Sequence, residues 1–453
     1  MQFPISKNSA LSFASVVDLL LDAVCVVDAH GYFVFGSAAC ESIFGYTPEE
    51  MIGRRMIDMV HPDDREMTLQ AAQRIMSGQT HLHFENRYLR KDGQVVHIMW
   101  SARWSDSDRL RIAVARDVTA RKRSELLQAA TYAISESAHA AGDLATLFEK
   151  IHQIIKNLLP SPNFAVALID AKTQSLNFPY CVDVRQPGHS PRTAALDAFC
   201  QEVIRSEQIL LLNRDASAEI PEHPGMLFDE DLKCWLGVPL KSQNGIIGAL
   251  LLKSYVGDAA YGDKDKELLQ YVSTQIATAI ERVQLFTRLQ YLAQYDELTD
   301  LPNRGLLHDR LKTAITRAHR ERRFLSVLYL DLDKFKQVND TLGHALGDQL
   351  LKAFAHRLKK CVRESDTVAR VGGDEFVLLL ESEHLPDTGL SAIHKIRDAF
   401  DDPFFVNEHT IRIKPSIGVA HYPEHGVEVH ELLRYADSVM YIAKKRVDEY
   451  TPR

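Results

Sequence analysis

Apolar and polar positions follow three successive patterns along the chain. Residues 12–120 contain short alternating or apolar runs separated by turn residues, which predicts short strands with brief helices between them. Residues 130–285 start with helically spaced apolar positions at 144–159, continue with strand-like runs and end in a long helix. Residues 290–453 contain a continuous apolar run at 324–330, as expected for a buried strand, followed by a helical stretch. We therefore predict an α+β multidomain protein with domains over 12–120, 130–285 and 290–453.

The longest predicted helix runs over residues 263–294. Its apolar residues recur at alternating spacings of three and four, which is a short heptad seam. The seam consists of Leu269, Val272, Ile276, Ala279, Val283 and Phe286. We expect its first half to pack on its own domain. Beyond Arg282 we expect a parallel helix from a second chain, which makes the protein a homodimer.

Composition and charge narrow the choice of function. Of the 453 residues, 45% are hydrophobic and 25% charged, as in ordinary globular proteins. The net charge of −8 gives no indication of nucleic-acid binding. No run reaches the roughly 18 apolar residues of a membrane span, so no membrane insertion is expected. The six cysteines are scattered without a Cys-x-x-Cys pair, which favours reduced thiols and a cytoplasmic location.

Acidic residues follow the apolar run at 324–330. Asp331 and Asp333 come at the end of the predicted strand, where a carboxylate needs either solvent or a cation. Hard divalent cations prefer such oxygens, including backbone carbonyls. A solvated turn is the alternative for this pair taken alone.

A second acidic pair lies in a predicted hairpin of strands 367–371 and 376–380. The turn reads Gly372-Gly373-Asp374-Glu375. Glycine tolerates positive φ and lets a bulky ligand approach the backbone, and exposed N–H groups in such a turn can face an anion. A nucleoside triphosphate with a divalent metal suits this arrangement. A Gly-Gly hairpin followed by acids is, however, more commonly an ordinary turn.

The order of motifs in the last third of the chain resembles that of a GGDEF domain, the catalytic domain of diguanylate cyclases. The resemblance spans residues 290–446. The motifs that carry it lie at 296–304, 331–348, 372–376, 416–420 and 436–444. It implies a C-terminal α/β domain of nucleotide-cyclase-like fold.

The resemblance also implies roles for individual residues. Asp331, the backbone of Leu332 and Asp374 would hold Mg²⁺, with Mn²⁺ as the alternative ion, and Glu375 would complete the metal site or help deprotonate the attacking hydroxyl. Asn339 and Asp348 would bind guanine, since an amide and a carboxylate match its acceptor and donors. The remaining substrate-binding residues would be Phe335, Lys336, His344, Gly372, Gly373 and Lys444.

Two further features follow from the same resemblance. Arg363 and Asp366 form an Arg-x-x-Asp motif five residues before Gly372, which matches the product-inhibition site of the family. Arginine suits guanine stacking and phosphate pairing at such a site. Val447 and Asp448 stand where the family usually has a glycine and a basic residue, which puts a second phosphate contact in doubt.

The first two domains resemble antiparallel-sheet sensor domains joined by helical linkers to the third. Residues 12–120 resemble a PAS domain through the stretches 44–46, 50–53, 61–64, 90–93 and 117–119. Residues 130–285 resemble a GAF domain through 235–240, 246–252 and 261–265. Cys200 and Cys234 are interpreted as small buried apolar residues rather than as sites for covalent attachment of a bilin. The sequence does not identify the ligand of either domain.

The predicted function is that of a signal-regulated diguanylate cyclase. Two GTP molecules would be condensed across a homodimer into cyclic di-GMP, which serves as product and inhibitor, with release of pyrophosphate. The alternative is a catalytically silent receptor for GTP or cyclic di-GMP. A bifunctional enzyme that also degrades the product is not expected, because no phosphodiesterase domain follows within the sequence.

Overall fold

A computed structural model describes residues 13–78, 81–159, 162–170, 173–185, 193–213, 232–257, 260–382 and 387–449. The chain divides into two compact units, Met1–Glu281 and Arg282–Arg453. Helices long and apolar enough to cross a bilayer are absent from the part of the chain that the structure describes.

The N-terminal domain is built on a five-stranded antiparallel sheet in the order β2-β1-β5-β4-β3. Burial alternates along β1, so Ala23, Cys25 and Val27 enter a core that also contains Phe44 and Tyr88. Its elements are α1 (Phe13–Asp18), β1 (Ala23–Asp28), β2 (Phe33–Gly36), α2 (Ala39–Phe44), α3 (Pro48–Met51), α4 (Met56–Met59), α5 (Arg65–Met76), β3 (His81–Leu89), β4 (Val95–Ser105), β5 (Leu110–Asp117) and α6 (Thr119–Ala140).

The second domain repeats the five-stranded antiparallel plan, in the order β7-β6-β10-β9-β8. Cys200 and Cys234 are fully buried, which confirms their interpretation as small core residues. The elements are α7 (Leu144–Leu158), β6 (Asn163–Ile169), β7 (Leu176–Val182), α8 (Ala194–Ser206), β8 (Leu210–Asn213), β9 (Leu232–Ser242), β10 (Gly245–Tyr255) and α9 (Asp263–Gln294).

The apolar seam of α9 divides as its sequence predicts. The residues from Leu269 to Val283 in the seam are buried, whereas Phe286 is exposed, as are its neighbours Leu285 and Leu289. The buried part accounts for the first half of the seam without a second chain. The exposed residues are where a helix of a second chain was predicted to pack, and that homodimer contact stays a prediction.

The C-terminal domain has a four-stranded antiparallel sheet in the order β12-β13-β11-β16, with a separate two-stranded sheet of β14 and β15. Its elements are α10 (Arg304–Glu321), β11 (Phe324–Leu332), α11 (Phe335–Leu342), α12 (His344–Cys361), β12 (Thr367–Gly372), β13 (Glu375–Ser382), α13 (Asp387–Ala399), β14 (Phe404–Val406), β15 (His409–Ile411), β16 (Pro415–Tyr422) and α14 (Val429–Glu449).

Both faces of this sheet are covered by helices. Because side chains alternate along a strand, Leu328 and Leu330 of β11 enter the core beneath α11, α12 and α13, while Val327 enters the core beneath α10 and α14. Burial on both faces explains why β11 is a continuous apolar run. The acidic residues stand where this run ends.

Candidate functional site

Three acidic residues lie around the end of β11. Asp331 pairs directly with Glu375 across the β11–β13 ladder, and opposite residues in an antiparallel pair project from the same face. The Tyr329 hydroxyl, two positions earlier on that face, donates a hydrogen bond of 3.0 Å to Glu375. Asp374 lies in the adjoining turn, where its carbonyl accepts from the Leu332 N–H at 3.3 Å. The role of Tyr329 could not be predicted from sequence, because the contact depends on strand register.

Lys444 reaches this cluster from α14. Its ammonium group lies 2.5 Å from a carboxylate oxygen of Asp331. The helix comes this close because Gly418 of β16 has no side chain, and a Cβ there would lie 2.1 Å from the Ala436 carbonyl oxygen. The structure thus brings together four predicted site residues: Asp331, Asp374, Glu375 and Lys444.

The electrostatics of the cluster favour a bound cation. Burial and the neighbouring charge of Asp331 raise the pKa of Asp374 above its usual range, although Lys444 opposes the shift. Burial works against charge on Lys444, but its contact with Asp331 raises the pKa of Lys444 overall. The ammonium group of Lys444 therefore faces the carboxyl groups of Asp331 and Asp374, and that of Asp333 is also close enough to act on it. A divalent cation would relieve the remaining repulsion.

The donor set fits a hard divalent metal ion. Carboxylate oxygens of Asp331 and Asp374, with a backbone carbonyl such as that of Leu332, are the ligands that Mg²⁺ prefers. Within the described residues, no three His, Cys, Asp or Glu side chains are arranged to hold a metal by themselves. This is expected where a metal completes its coordination with water and substrate phosphates.

The glycine turn is shorter than its sequence predicts. Gly372 and Glu375 pair as the last and first residues of their strands, so Gly373 and Asp374 alone connect them. Gly373 has a φ of +46°, a left-handed conformation that suits glycine. The predicted four-residue turn was therefore too long by one residue at each end.

Arg370 stabilises this turn by hydrogen bonds. Its guanidinium group donates to the Gly373 carbonyl at 2.8 and 3.0 Å and to the Asp296 carboxylate at 2.9 and 3.1 Å. Asp296 also accepts from the backbone N–H and hydroxyl of Thr299. Burial works to raise the pKa of Asp296, but the bonds from Thr299 and Arg370 lower it below its usual range. The motif at 296–304 thus fixes the shape of the glycine turn, a role that the sequence analysis missed.

Asn339 and Asp348 lie on α11 and α12, which cover the other face of the sheet. The Asn339 side-chain oxygen is buried and has no hydrogen-bond partner among the described residues. This oxygen lies over Gly347, and a Cβ atom at Gly347 would be 1.9 Å from it. Asp348 follows directly and is exposed. An unpartnered amide beside a free carboxylate fits the predicted guanine contacts, which stay a prediction.

The structure separates the remaining predicted substrate residues into two groups. Lys336 and His344 are exposed on the helices that carry Asn339 and Asp348. The Phe335 side chain instead enters the core, with 8% exposure, so any phosphate contact from this position must come from its backbone. The side chains of Val447 and Asp448 lie outside the described residues.

Arg363 and Asp366 form a closed turn before β12. The Asp366 carboxylate accepts from the Arg363 N–H at 2.9 Å, and the Asp366 N–H donates to the Arg363 carbonyl at 3.0 Å. Both residues line a pocket of about 210 Å³ together with Lys395 of α13. Lys395 adds a second cation to the predicted product-inhibition site.

The fold is that of a multidomain protein with two domains on five-stranded antiparallel sheets and a C-terminal domain whose central sheet ends in an acidic cluster. Residues 33–113 match the family model of the PAS fold, 143–280 that of the GAF domain, and 293–449 that of the diguanylate cyclase, GGDEF domain. The chain therefore carries PAS, GAF and GGDEF domains in that order.

Known proteins match the C-terminal part of the chain. The bifunctional diguanylate cyclase/cyclic di-GMP phosphodiesterase MucR of Pseudomonas aeruginosa is 46% identical over 176 residues, 39% of this chain and 25% of MucR. The diguanylate cyclase TpbB of P. aeruginosa is 42% identical over 159 residues, 35% of this chain and 37% of TpbB. The chain thus spans little more than a third of these relatives at most. A solved GGDEF domain of TpbB, 41% identical, aligns over 34% of this chain and 90% of its own with a TM-score of 0.33.

Proposed function

We propose that the protein is a signal-regulated diguanylate cyclase that condenses two GTP molecules into cyclic di-GMP and two pyrophosphates. The observation that carries the proposal is the cluster of Asp331, Asp374, Glu375 and Lys444 at the glycine turn. It offers oxygen ligands to a metal and one cation to a phosphate, within a domain whose family has this activity.

The chemistry needs positioning and charge neutralisation more than covalent help. The 3′-hydroxyl of one GTP attacks the α-phosphorus of the other, forming a P–O bond while the bond to pyrophosphate breaks, and the reaction occurs twice per product. Bound Mg²⁺ would neutralise the triphosphate and polarise its phosphoryl oxygens. Glu375 would accept the hydroxyl proton or complete the metal ligands. Lys444 would pair with phosphate oxygens.

Each GGDEF domain would hold one GTP, so two domains must meet face to face. We propose a homodimer in which the exposed apolar residues Leu285, Phe286 and Leu289 of α9 contact a second copy. Phe286 continues the heptad seam whose first half is already buried, and Leu285 and Leu289 lie beside it on the same helix. The PAS and GAF domains would then regulate output through the arrangement of the dimer.

Product formation tests the proposal directly. Purified protein with GTP and Mg²⁺ should yield cyclic di-GMP and pyrophosphate in a ratio of about one to two, measured by chromatography with mass detection. Glu375→Gln should abolish the product while GTP still binds. Glu381→Gln, at the far end of the same strand, is the matched control and should keep wild-type activity.

A silent receptor is the competing candidate. Wild-type protein that binds GTP or cyclic di-GMP without forming product would establish the receptor and contradict the enzyme. Added cyclic di-GMP should slow the wild-type reaction but not that of Arg363→Ala, because the pocket of Arg363, Asp366 and Lys395 would lose its guanine-stacking group.

A further inference from the structure

Arg111 of the PAS domain occupies an inward position of β5. Burial along this strand alternates, so Arg111 shares the buried face with Ala113 and Ala115. The side chain is 6% exposed. Arginine is almost never fully buried unless it is paired, because removing an isolated charge from water is costly.

The partner that the structure gives Arg111 cannot balance its charge. Its guanidinium group donates to the thioether sulfur of Met56 at 3.1 Å, a weak and neutral acceptor. No carboxylate pairs with it among the described residues. Residues 1–12 and 79–80, which the structure leaves undescribed in this part of the chain, contain no Asp or Glu. Burial accordingly lowers the pKa of Arg111.

Lys253 of the GAF domain is a buried cation whose charge is balanced by a carboxylate of the same chain, so it needs no ligand. Lys253 is 8% exposed, and its ammonium group lies 3.3 Å from the Asp183 carboxylate. Asp183 also accepts a 2.6 Å hydrogen bond from the Tyr255 hydroxyl. Lys253 and Arg111 are the buried lysine and arginine side chains in the described chain, and Arg111 lacks the acid that Lys253 has.

Arg111 lines a cavity of about 40 Å³. The walls are mainly apolar and include Phe84, Ala72 and Ile75. Tyr88 also lines the cavity, and burial raises the pKa of Tyr88, so its hydroxyl stays protonated as a hydrogen-bond donor. A cavity of this size has room for a few non-hydrogen atoms.

We propose that this cavity is a binding site for a small monocarboxylate of about two to four carbon atoms. The planar guanidinium group of Arg111 matches the two oxygens of a carboxylate in a bidentate pair. One negative charge balances the one buried positive charge. The apolar walls favour a short alkyl chain, whereas a phosphate dianion would exceed the charge and leave those walls without contacts.

A neutral analogue tests the proposal on the unaltered protein. Full-length protein is titrated with propionate and with propionamide, and binding is followed by calorimetry and by ligand-observed NMR. Propionate should bind at least about a hundredfold more tightly, because the amide cannot pair with the guanidinium charge. Bound propionate should also raise the melting temperature as its concentration increases.

Variants assign the effect to Arg111. Arg111→Met should weaken propionate binding by about a hundredfold or more, and Arg111→Lys by about tenfold because it loses the bidentate fork. Arg103→Met removes an exposed arginine whose β4 position pairs with Ile112 on the opposite face, and should leave affinity unchanged.

Three outcomes would overturn the inference. They are equal binding of propionate and propionamide, unchanged propionate affinity in Arg111→Met, and Arg111-dependent binding of inorganic phosphate in place of propionate. The binding experiment does not require cyclase activity, so its result is independent of whether the proposed enzyme function is correct.

Discussion

The acidic cluster of the GGDEF domain and the Arg111 cavity of the PAS domain carry unbalanced charges of opposite sign. In the acidic cluster, Asp331, Asp374 and Glu375 lie at the end of a sheet, and Lys444 contacts Asp331. In the cavity, a single buried guanidinium group lies among mainly apolar walls. Charge at a sheet end can be solvated until a metal and substrate arrive, whereas enclosed charge must find its counter-ion inside the protein. The first arrangement suits turnover and the second suits a ligand that stays bound.

Removing Lys444 would make the acidic cluster more negative. Of the changes considered, it is expected to have the largest effect on activity. Lys444→Ala should lower kcat/KM for GTP by about a hundredfold to a thousandfold, because a phosphate contact and the partner of Asp331 are both lost. Steady-state kinetics measure the change. Lys445→Ala removes the neighbouring charge, which lies over the Tyr441 ring, and should have little effect. Equal losses in both variants would contradict the assignment.

Arg370 is a partly buried cation that donates to a carboxylate and to a backbone carbonyl, and so contrasts with Arg111. Arg370→Ala should lower the free energy of unfolding by about 1–3 kcal/mol, because Asp296 and the Gly373 carbonyl lose their donor. Chemical denaturation followed by circular dichroism measures the loss. Arg111→Met should cost less or even stabilise the ligand-free protein, since an unpaired buried charge is replaced by an apolar side chain. A larger loss from Arg111→Met would reverse the comparison.

Asn339 extends the comparison to a neutral group, because its buried oxygen also lacks a partner among the described residues. Gly347→Ala places a methyl group where the Asn339 amide lies and should raise KM for GTP roughly tenfold. Asn339→Ala should give a similar change, and the double variant should be no worse than either one. Additive effects in the double variant would show that Gly347 acts independently of Asn339.

Acidification should reduce the negative charge of the acidic cluster and so narrow its difference in charge from the Arg111 cavity. Because burial and Asp331 raise the pKa of Asp374, its carboxylate gains a proton at a higher pH than an ordinary aspartate does. Metal binding requires the deprotonated form, so the Mg²⁺ concentration for half-maximal activity should rise as the pH is lowered from neutral towards that raised pKa. In Lys444→Ala the rise should begin at higher pH, because Lys444 holds that pKa down. An Mg²⁺ requirement that does not change with pH would contradict this account.

The raised pKa of Asp374 also affects stability. Its charged form is disfavoured in the folded state, so the folded protein loses stability as pH rises through that pKa and regains it on acidification. Substitution of Asp374 by Asn should remove this pH dependence. Thermal unfolding over the same pH range measures it.

The sequence predicted the acidic cluster because its residues stand in short motifs at strand ends. The apolar run and the glycine turn alone put Asp331 at a strand end and Asp374 in a turn, and the resemblance to the GGDEF family implied that the two act together. Contacts set by strand register could not be found in this way, and the bond from Tyr329 to Glu375 and the brace from Arg370 to Asp296 are examples. Arg111 was missed for the same reason, since a shift of one residue would turn its side chain from the core to solvent. The side chain of Phe335 was expected near phosphates, but the helix turns it into the core.

Metal binding at the acidic cluster tests the central claim most directly. Mn²⁺ serves as a paramagnetic probe and is titrated into protein with a non-hydrolysable GTP analogue, with free ion measured by electron paramagnetic resonance. We predict that wild-type protein binds Mn²⁺ tightly only with the nucleotide present, and that Asp331→Asn and Asp374→Asn each weaken this binding by at least about tenfold. Nucleotide-dependent Mn²⁺ binding that is unchanged in both variants would contradict the account.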